Sequence, residues 1–360
     1  MKHQTSSLKG MTSSPCVVTV GMPVYNGEAF VSRSVLSVLE QTFSGSMEFL
    51  IVDDGSSDGT ADVIRQVAAA HPRGGIVRVI RHDANQGVGS ARNTILDHAQ
   101  GKYLYFLDSD DEIAPDCIEK LHAQAERYQA EAVYGSIYTV CIDGETVKGV
   151  ETYVQSHLVF THEDELACYA FRDIHEHLRD YSVNILFLRE FLEKHHLRFP
   201  PLRFHEDVIF SSTLVPLVTR AVLLPDVTYT YNIRTNSLSN YQGREHISLE
   251  EIKQFISIYS DVKDMAQLSK GKPYYEARYL RSMTQMFFIV CGALKNRRII
   301  SPRLTDGLVR KAMTHPAALS EIIHFRRHRL YNLAYYALGK MPGWLTVLIM
   351  TAIAKQKRIL

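Results

Sequence analysis

Cysteine is scarce in this chain and follows no metal-binding or cross-linking pattern. The five cysteines among 360 residues lie at positions 16, 117, 141, 168 and 291, and no two of them are spaced as CxxC. An odd number of scattered thiols excludes a complete disulfide framework and a zinc ribbon. A reducing cytoplasm is the compartment that this usage favours.

Long apolar runs are also missing. Residues 1–15 are polar and small, without the continuous apolar core of a signal peptide, which predicts a flexible tail before the first strand. Near the other end, the apolar run 344–354 is followed by Lys355. It is shorter than the roughly 20 residues needed to cross a bilayer. Two interpretations stay open: a helix lying in a membrane interface, or a helix packed on the protein's own core.

The chain has almost no net charge, at +1, but its charges are unevenly distributed. From Gly292 onward there are thirteen Lys or Arg residues against only Asp306 and Glu321, so the preceding part is acidic. A basic segment with Trp and Leu suits an anionic membrane surface. We therefore expect either a cytoplasmic protein or one held peripherally at the inner face of the cell membrane, and no nucleic-acid partner.

Short β-rich runs alternate with helix-like segments from Cys16 onward. Hydrophobic residues make up 46% of the chain and charged residues 22%, as in a soluble protein with a sizeable core. Strand and helix patterns that alternate predict βαβ units and a mostly parallel open sheet flanked by helices. From about Glu131 the pattern changes to a hairpin turning at Asp143 and Gly144, and after Gly243 it is almost entirely helical.

Three polar clusters follow the first, second and fourth predicted strands. They are PVYNG from Pro23, DDGS from Asp53 and DSDD from Asp108. The carboxyl ends of parallel strands meet at one edge of an open sheet, where ligands bind. We therefore expect these clusters to face one crevice.

The DSDD cluster by itself allows several interpretations. An EF-hand loop requires Gly where this chain has Ile113, and a nucleophilic phosphatase aspartate would normally follow the first strand rather than a late one. An acidic helix cap explains Asp111 but leaves Asp108 unexplained. The remaining interpretation is a Mg²⁺ or Mn²⁺ ion held beside nucleotide phosphates. The nearby GVGSAR segment lacks the third glycine of a dinucleotide-binding fingerprint.

Several motifs in a fixed order resemble the inverting, GT-A fold glycosyltransferases of family 2, of the bacterial type that builds surface polysaccharides. Over residues 17–116 the motifs are PVYNGEAFVSRSVLSVLEQTF, EFLIVDDGSSDGT, NQGVGSARN and GKYLYFLDSDDEIAPD. Beyond them, NILFLREFLEKHHLRF, HEDVIF and YTYNIRTNSLS extend the resemblance to about residue 240. The resemblance implies a GT-A catalytic domain at 16–243, with a nucleotide-sugar half at 16–116 and an acceptor half at 117–243. A basic, mainly helical region at 244–360 would follow it.

On the donor side, the resemblance implies that Pro23, Val24 and Tyr25 line the nucleoside pocket. Asp54 would accept a hydrogen bond from the base imide, which favours a UDP-sugar.

The same comparison implies that Gly87 and Arg92 approach the diphosphate. Asp108 would contact ribose or donor sugar, and Asp110 would bind the metal. Asp111 would act either as a second metal ligand or as a cap.

On the acceptor side, Asp207 of the His205-Glu206-Asp207 segment matches the family's general base. His205 is a candidate metal ligand or acceptor contact, and Glu206 is a candidate of the same acceptor element. Arg234 and Ser237 match a less diagnostic loop element near the donor phosphates. The predicted activity is transfer of a sugar from UDP to a carbohydrate or lipid-linked acceptor. The alternatives are a non-catalytic nucleotide-sugar-binding module and a phosphatase.

Overall fold

The computed structural model describes residues 16–143, 146–172, 178–202, 204–234 and 245–356. The predicted N-terminal tail and residue Ser237 lie outside these ranges.

A mixed sheet occupies the first two thirds of the described chain, in the order β3-β2-β1-β4-β9-β6-β10-β5, with β7 on β6 and β8 on β10. Its strands are β1 Val18–Val24, β2 Met47–Asp53, β3 Val77–Arg81, β4 Tyr103–Phe106, β5 Glu112–Ile113, β6 Ala132–Asp143, β7 Thr146–Tyr153, β8 Leu158–Phe160, β9 Ile185–Leu188 and β10 Ala221–Arg234.

Helices cover this sheet. They are α1 Val31–Leu39, α2 Thr60–Ala70, α3 Val88–His98, α4 Cys117–Tyr128, α5 Glu165–Ala170, α6 Arg189–Lys194 and α7 Glu206–Leu214. α1 buries Val31, Val35 and Val38 at helical spacing, and full burial of such side chains contributes about 1.5–3 kcal/mol each. Every residue of β1 is buried, as expected of a strand with both faces covered.

The predicted parallel sheet is confirmed for β1 to β4, whose neighbouring strands all pair in parallel. Antiparallel β9 then joins β4 to β6, so the second half of the sheet is mixed. The predicted hairpin is confirmed by the antiparallel pairing of β6 with β7. β10 runs parallel to β6 for most of its 14 residues and brings the end of the sheet beside the DSDD cluster.

The last third of the chain is mainly helical, as predicted. Its elements are β11 Ile247–Ser248, α8 Leu249–Gln267, α9 Tyr275–Lys295, β12 Ile300–Ser301, α10 Asp306–Ala312, α11 Leu319–Ile322, α12 Arg329–Lys340 and α13 Gly343–Gln356. These helices form a hydrophobic core of their own, in which Val208 of α7 also takes part.

α9 attaches this helical region to the sheet domain through two buried arginines. Arg278 donates a hydrogen bond to the carbonyl oxygen of Ser212, at 2.8 Å. Arg281 donates to the carbonyl oxygens of Ala170 and Leu178, each at 3.0 Å. Charged donors that satisfy buried carbonyls hold the two parts in a defined relation.

No helix within the described ranges is both long and apolar enough to cross a membrane. The five cysteines are all free thiols.

Candidate functional site

The three polar clusters do meet at one edge of the sheet. Val24 at the end of β1 is paired with Asp53 at the end of β2. On the other side of β1, Leu107 donates a backbone hydrogen bond to Gly21, so the DSDD cluster begins beside the same strand end. The parallel strand order thus produces the crevice that the sequence predicted.

At the PVYNG cluster, only one of the three residues predicted to line the nucleoside pocket has an exposed side chain. Pro23 and Val24 are buried within β1, whereas Tyr25 is half exposed at the rim. Asn26 adopts a left-handed backbone, with φ of 50°, and its side-chain oxygen accepts from the amide of Ser57 at 2.9 Å. The cluster is therefore tied to the loop that follows β2.

Asp54, which is predicted to contact the base, is held by groups of the protein. Its carboxylate is only 2% exposed. One oxygen accepts from the amide of Gly87 at 2.8 Å, and the other accepts from the amide of Gln86 at 3.0 Å and contacts the ring of His82 at 2.7 Å. Because both oxygens are engaged within the protein, Asp54 holds the loop at Gly87, and its predicted hydrogen bond to the base imide stays a prediction.

Gly87 itself requires glycine, because its φ of 92° lies in the left-handed region. It precedes α3, and that helix carries Arg92 on its buried side. The Asp54 contacts thus fix the start of the helix that positions Arg92.

Asp111 anchors the DSDD cluster to β10. It is fully buried, and its carboxylate accepts hydrogen bonds from the hydroxyl of Tyr229 at 2.6 Å and from the amide of Asn232 at 2.8 Å. Burial, together with the charges of Asp110 and Asp108, raises the pKa of Asp111 well above its usual range. Of its two predicted roles, metal ligand or helix cap, neither describes these contacts, which join the cluster to a neighbouring strand.

Asp108 and Asp110 are half-buried beside this anchor. The amide of Asp108 donates to the Tyr229 hydroxyl at 3.3 Å, and the side chain of Asn232 donates to the carbonyl of Asp110 at 2.9 Å. The backbone on both sides of these carboxylates is thereby fixed by β10.

Arg92 lies between the two halves of the domain. Its guanidinium donates to Asp108 at 2.7 Å and forms a second, short ion pair with Glu206. Burial opposes its charge, but Asp108, Glu206 and Asp207 raise the pKa of Arg92 above its usual value. Arg92 therefore pairs with both carboxylate clusters, and its predicted contact with a diphosphate stays a prediction.

A pocket of about 70 Å³ lies next to Arg92. Its lining residues are Arg92, Asp108, Ile137, Tyr181, Ser182, Val183, Asp207, Tyr229 and Tyr231. It brings together Asp108 of the first half and Asp207 of the second. An aspartate predicted at the donor and one predicted at the acceptor therefore share one pocket.

The pKa of Asp207 is higher than that of an exposed aspartate. Burial raises its pKa most, Glu206 and Asp108 raise it further, and Arg92 lowers it, giving a value of about 7. A carboxyl group with such a pKa can take up and release a proton near neutral pH. The neighbouring Glu206 is buried in its ion pair with Arg92.

Tyr181 and Ser182 also line this pocket, and neither residue was predicted from the sequence. The Ser182 hydroxyl is 1% exposed and has no hydrogen-bond partner among the described residues. The Tyr181 and Tyr231 rings lie 6.1 Å apart along the pocket. The signal in the sequence was a polar DYS segment that ends two residues before the apolar β9, and such a segment is also typical of an ordinary loop.

His205 packs away from this pocket. Its ring contacts Phe255 and lies 3.2 Å from the Tyr259 hydroxyl, both on α8, and burial lowers its pKa. These contacts join α7 to the helical region, so they do not support the predicted acceptor contact. Arg234 ends β10 with its side chain outside the described part, and Ser237 lies entirely outside it.

The described residues contain no group of three or more His, Cys, Asp or Glu side chains arranged to hold a metal ion. A Mg²⁺ or Mn²⁺ ion that shares its coordination with phosphates and water needs only one or two carboxylates. The half-buried carboxylate of Asp110 fits that smaller oxygen donor set, whereas Asp108 is paired with Arg92.

Comparisons with known sequences agree with one another. The family model described as glycosyl transferase family 2 matches residues 19–194. The uncharacterised glycosyltransferase EpsJ of Bacillus subtilis is 31% identical over 308 residues, covering 83% of this chain and 86% of the relative. The succinoglycan biosynthesis protein ExoO of Rhizobium meliloti is 28% identical over 333 residues, covering 88% and 87%.

Solved structures with low sequence identity share the fold. Staphylococcus aureus TarS 1-349 in complex with UDP-GlcNAc superimposes with a TM-score of 0.53 at 15% identity, over 90% of each chain. The mannosyltransferase PcManGT of Pyrobaculum calidifontis, in complex with GDP-Man and Mn²⁺, gives a TM-score of 0.50 at 17% identity, over 96% of this chain and 90% of that one. Both are GT-A glycosyltransferases, which confirms the predicted fold class.

Proposed function

Because this chain belongs to glycosyltransferase family 2, we propose that it transfers a sugar from a UDP-sugar to a hydroxyl of a carbohydrate or lipid-linked acceptor, with inversion at the anomeric carbon. The observation that carries this proposal is the shared pocket, in which Asp207 faces the same cavity as Asp108. An acceptor hydroxyl and a donor sugar that meet there have a proton acceptor on one side and the donor-binding cluster on the other.

In the proposed mechanism Asp207 is the general base. It takes the proton of the acceptor hydroxyl as that oxygen attacks the anomeric carbon, and the bond from that carbon to UDP breaks on the opposite face. A pKa of about 7 leaves a large share of Asp207 ionised at neutral pH, while making it a stronger base than an ordinary aspartate. Burial and the charge of Glu206 supply that basicity, and the charge of Arg92 opposes it.

On the donor side, we assign Asp108 to ribose or donor sugar and Asp110 to a divalent metal, Mn²⁺ or Mg²⁺. The metal, when bound, offsets the negative charge that develops on the diphosphate leaving group. The Mn²⁺ in the PcManGT structure supports a divalent ion for this chain. Asp111 is left out of the metal site, because its oxygens accept from Tyr229 and Asn232.

The choice of a uridine donor rests on similarity. UDP-GlcNAc in the TarS structure supports it, and GDP-Man in the PcManGT structure provides the guanosine alternative that an experiment must exclude. The engaged carboxylate of Asp54 gives no independent support for uracil selection.

The test measures nucleoside-diphosphate release from a panel of UDP-sugars and GDP-sugars, together with UDP affinity. We expect turnover with a UDP-sugar, and we expect Asp207→Asn to abolish transfer while UDP affinity is unchanged. Asp97→Asn is the matched control, because Asp97 is exposed and forms a surface ion pair with Arg198.

Each rival predicts a different result. UDP binding without turnover on any acceptor would indicate a non-catalytic binding module. Release of inorganic phosphate without a nucleotide requirement would indicate a phosphatase. Loss of UDP affinity in Asp207→Asn would indicate that Asp207 binds the donor and is not the general base.

A further inference from the structure

α13 exposes an apolar stripe to solvent. Trp344 is 63% exposed and Leu348, one turn later, is 59% exposed, and Ala352 continues the stripe. The opposite side of the helix is fixed, because Met350 and Ala354 are fully buried in the core of the helical region. The stripe therefore cannot turn inward without removing those residues from the core.

α12 presents a similar outer side. Leu330 is 77% exposed, and Ala334 and Ala337 follow it at helical spacing. α12 and α13 both pack on α9 and α10. We call the exposed residues of α12, of α13 and of the segment directly before α12, from Arg326 to Lys355, the terminal surface.

The sequence that carries these apolar side chains is basic. After Glu321 the sequence contains no Asp or Glu but seven Lys or Arg residues. Those described as exposed are Arg326, Arg327, Arg329, Lys340 and Lys355. An exposed apolar stripe with one sign of charge is the combination that binds an anionic lipid interface.

We propose that the terminal surface docks on the anionic headgroup region of a lipid bilayer, with Trp344 and Leu348 inserted at the level of the acyl boundary. The basic side chains would contact lipid phosphates. The helix lies on the bilayer, because no described helix is long and apolar enough to span it.

The charge argues against a second copy of this chain as the occupant. A two-fold contact places the same surface patch opposite itself. The basic residues of one copy would then face those of the other, and like charges oppose association. An anionic bilayer supplies the opposite charge as well as the apolar phase. The inference goes beyond the proposed activity and does not depend on it.

The test is flotation of the full-length protein with vesicles of phosphatidylcholine and phosphatidylglycerol, compared with vesicles of phosphatidylcholine alone. We expect binding to the anionic vesicles only, weakened by added salt. The double variant Trp344→Ser, Leu348→Ser should lower partitioning at least about tenfold, since it removes the two largest inserted side chains. Leu268→Ser is the matched control, because Leu268 is 86% exposed at the end of α8 and belongs to neither α12 nor α13.

A second pair of variants tests the charge. Replacing Arg326, Arg327 and Arg329 by Gln should lower binding to anionic vesicles by about tenfold or more. Replacing the exposed Lys194, Lys253 and Lys270 by Gln should leave it within about twofold, although the same net charge is lost. Thermal unfolding of each variant verifies that the chain is folded.

Two results would overturn the inference. One is equal flotation of the wild type and the Trp344→Ser, Leu348→Ser variant. The other is a concentration-dependent dimer in sedimentation that this variant abolishes, without any vesicle binding by the wild type. That second result would identify another copy of this chain as the occupant.

Discussion

At the scale of the residue, the surroundings of Asp207 set the pH range in which it can act as a base. Its pKa of about 7 means that it gains a proton as the pH falls through neutrality, and a protonated carboxyl cannot accept the acceptor's proton. We therefore predict that kcat/KM falls about tenfold per pH unit below pH ~7 and levels off above it.

A pH profile of sugar transfer checks this prediction, with the Glu206→Gln variant beside the wild type. The charge of Glu206 raises the pKa of Asp207, so its removal should move the midpoint to lower pH. A wild-type midpoint near the ordinary aspartate value of about 4 would contradict the environment described for Asp207.

The prediction of a divalent metal can also be tested at a single residue, Asp110. Asp110→Asn removes the carboxylate assigned to the divalent ion, so Mn²⁺ should no longer stimulate UDP release, and the variant should be as slow as the wild type in EDTA. Isothermal titration of Mn²⁺ with UDP present measures the same loss without requiring turnover. Asp116→Asn is the control, since Asp116 forms an exposed ion pair with Lys120. Turnover unaffected by both EDTA and Asp110→Asn would exclude the metal role.

At the scale of the element, Arg92 connects α3 to the DSDD cluster and to the start of α7. Removing it by Arg92→Met leaves Glu206 buried without its cation, which should cost about 3–5 kcal/mol of unfolding free energy. The double variant Arg92→Met, Glu206→Leu removes both charges and should recover most of that loss. Urea unfolding of the four proteins in this cycle measures the coupling.

Activity measurements distinguish a functional role of the Arg92 and Glu206 pair from a purely structural one. The double variant should transfer sugar more slowly than the wild type even when its stability is restored, because it lacks the guanidinium predicted to contact the donor diphosphate. A double variant that is fully active would show that the Arg92 and Glu206 pair only stabilises the fold.

At the scale of the whole molecule, α9 holds the helical region against the sheet domain. Arg281→Met deprives the carbonyl oxygens of Ala170 and Leu178 of a charged donor, and also breaks the ion pair with Asp180. We predict a loss of about 2–4 kcal/mol in urea unfolding, because buried acceptors are left without a partner. Arg310→Met, an exposed arginine of α10, is the control. A loss below about 0.5 kcal/mol would show that Arg281 does not hold the two parts together.

The sequence by itself determined the order of the elements and the location of the crevice. Alternating strand and helix patterns require βαβ crossovers, and those crossovers bring the ends of β1, β2 and β4 to one edge of the sheet. The positions of the Pro23, Asp53 and Asp108 clusters along the chain were therefore enough to predict a common site. The helical character of the last third followed from local pattern in the same way.

Only the tertiary structure decided what several of those residues contact. Arg92 and Glu206 are 114 positions apart, and Asp111 and Asn232 are 121 apart. Such contacts depend on the place of β9 and β10 in the sheet, which no local pattern specifies. Burial then changed the chemistry, because desolvation raised the pKa of Asp207 and the surrounding loop engaged both oxygens of Asp54. Sequence patterns are local, whereas solvation and ion pairing depend on which distant segments pack together.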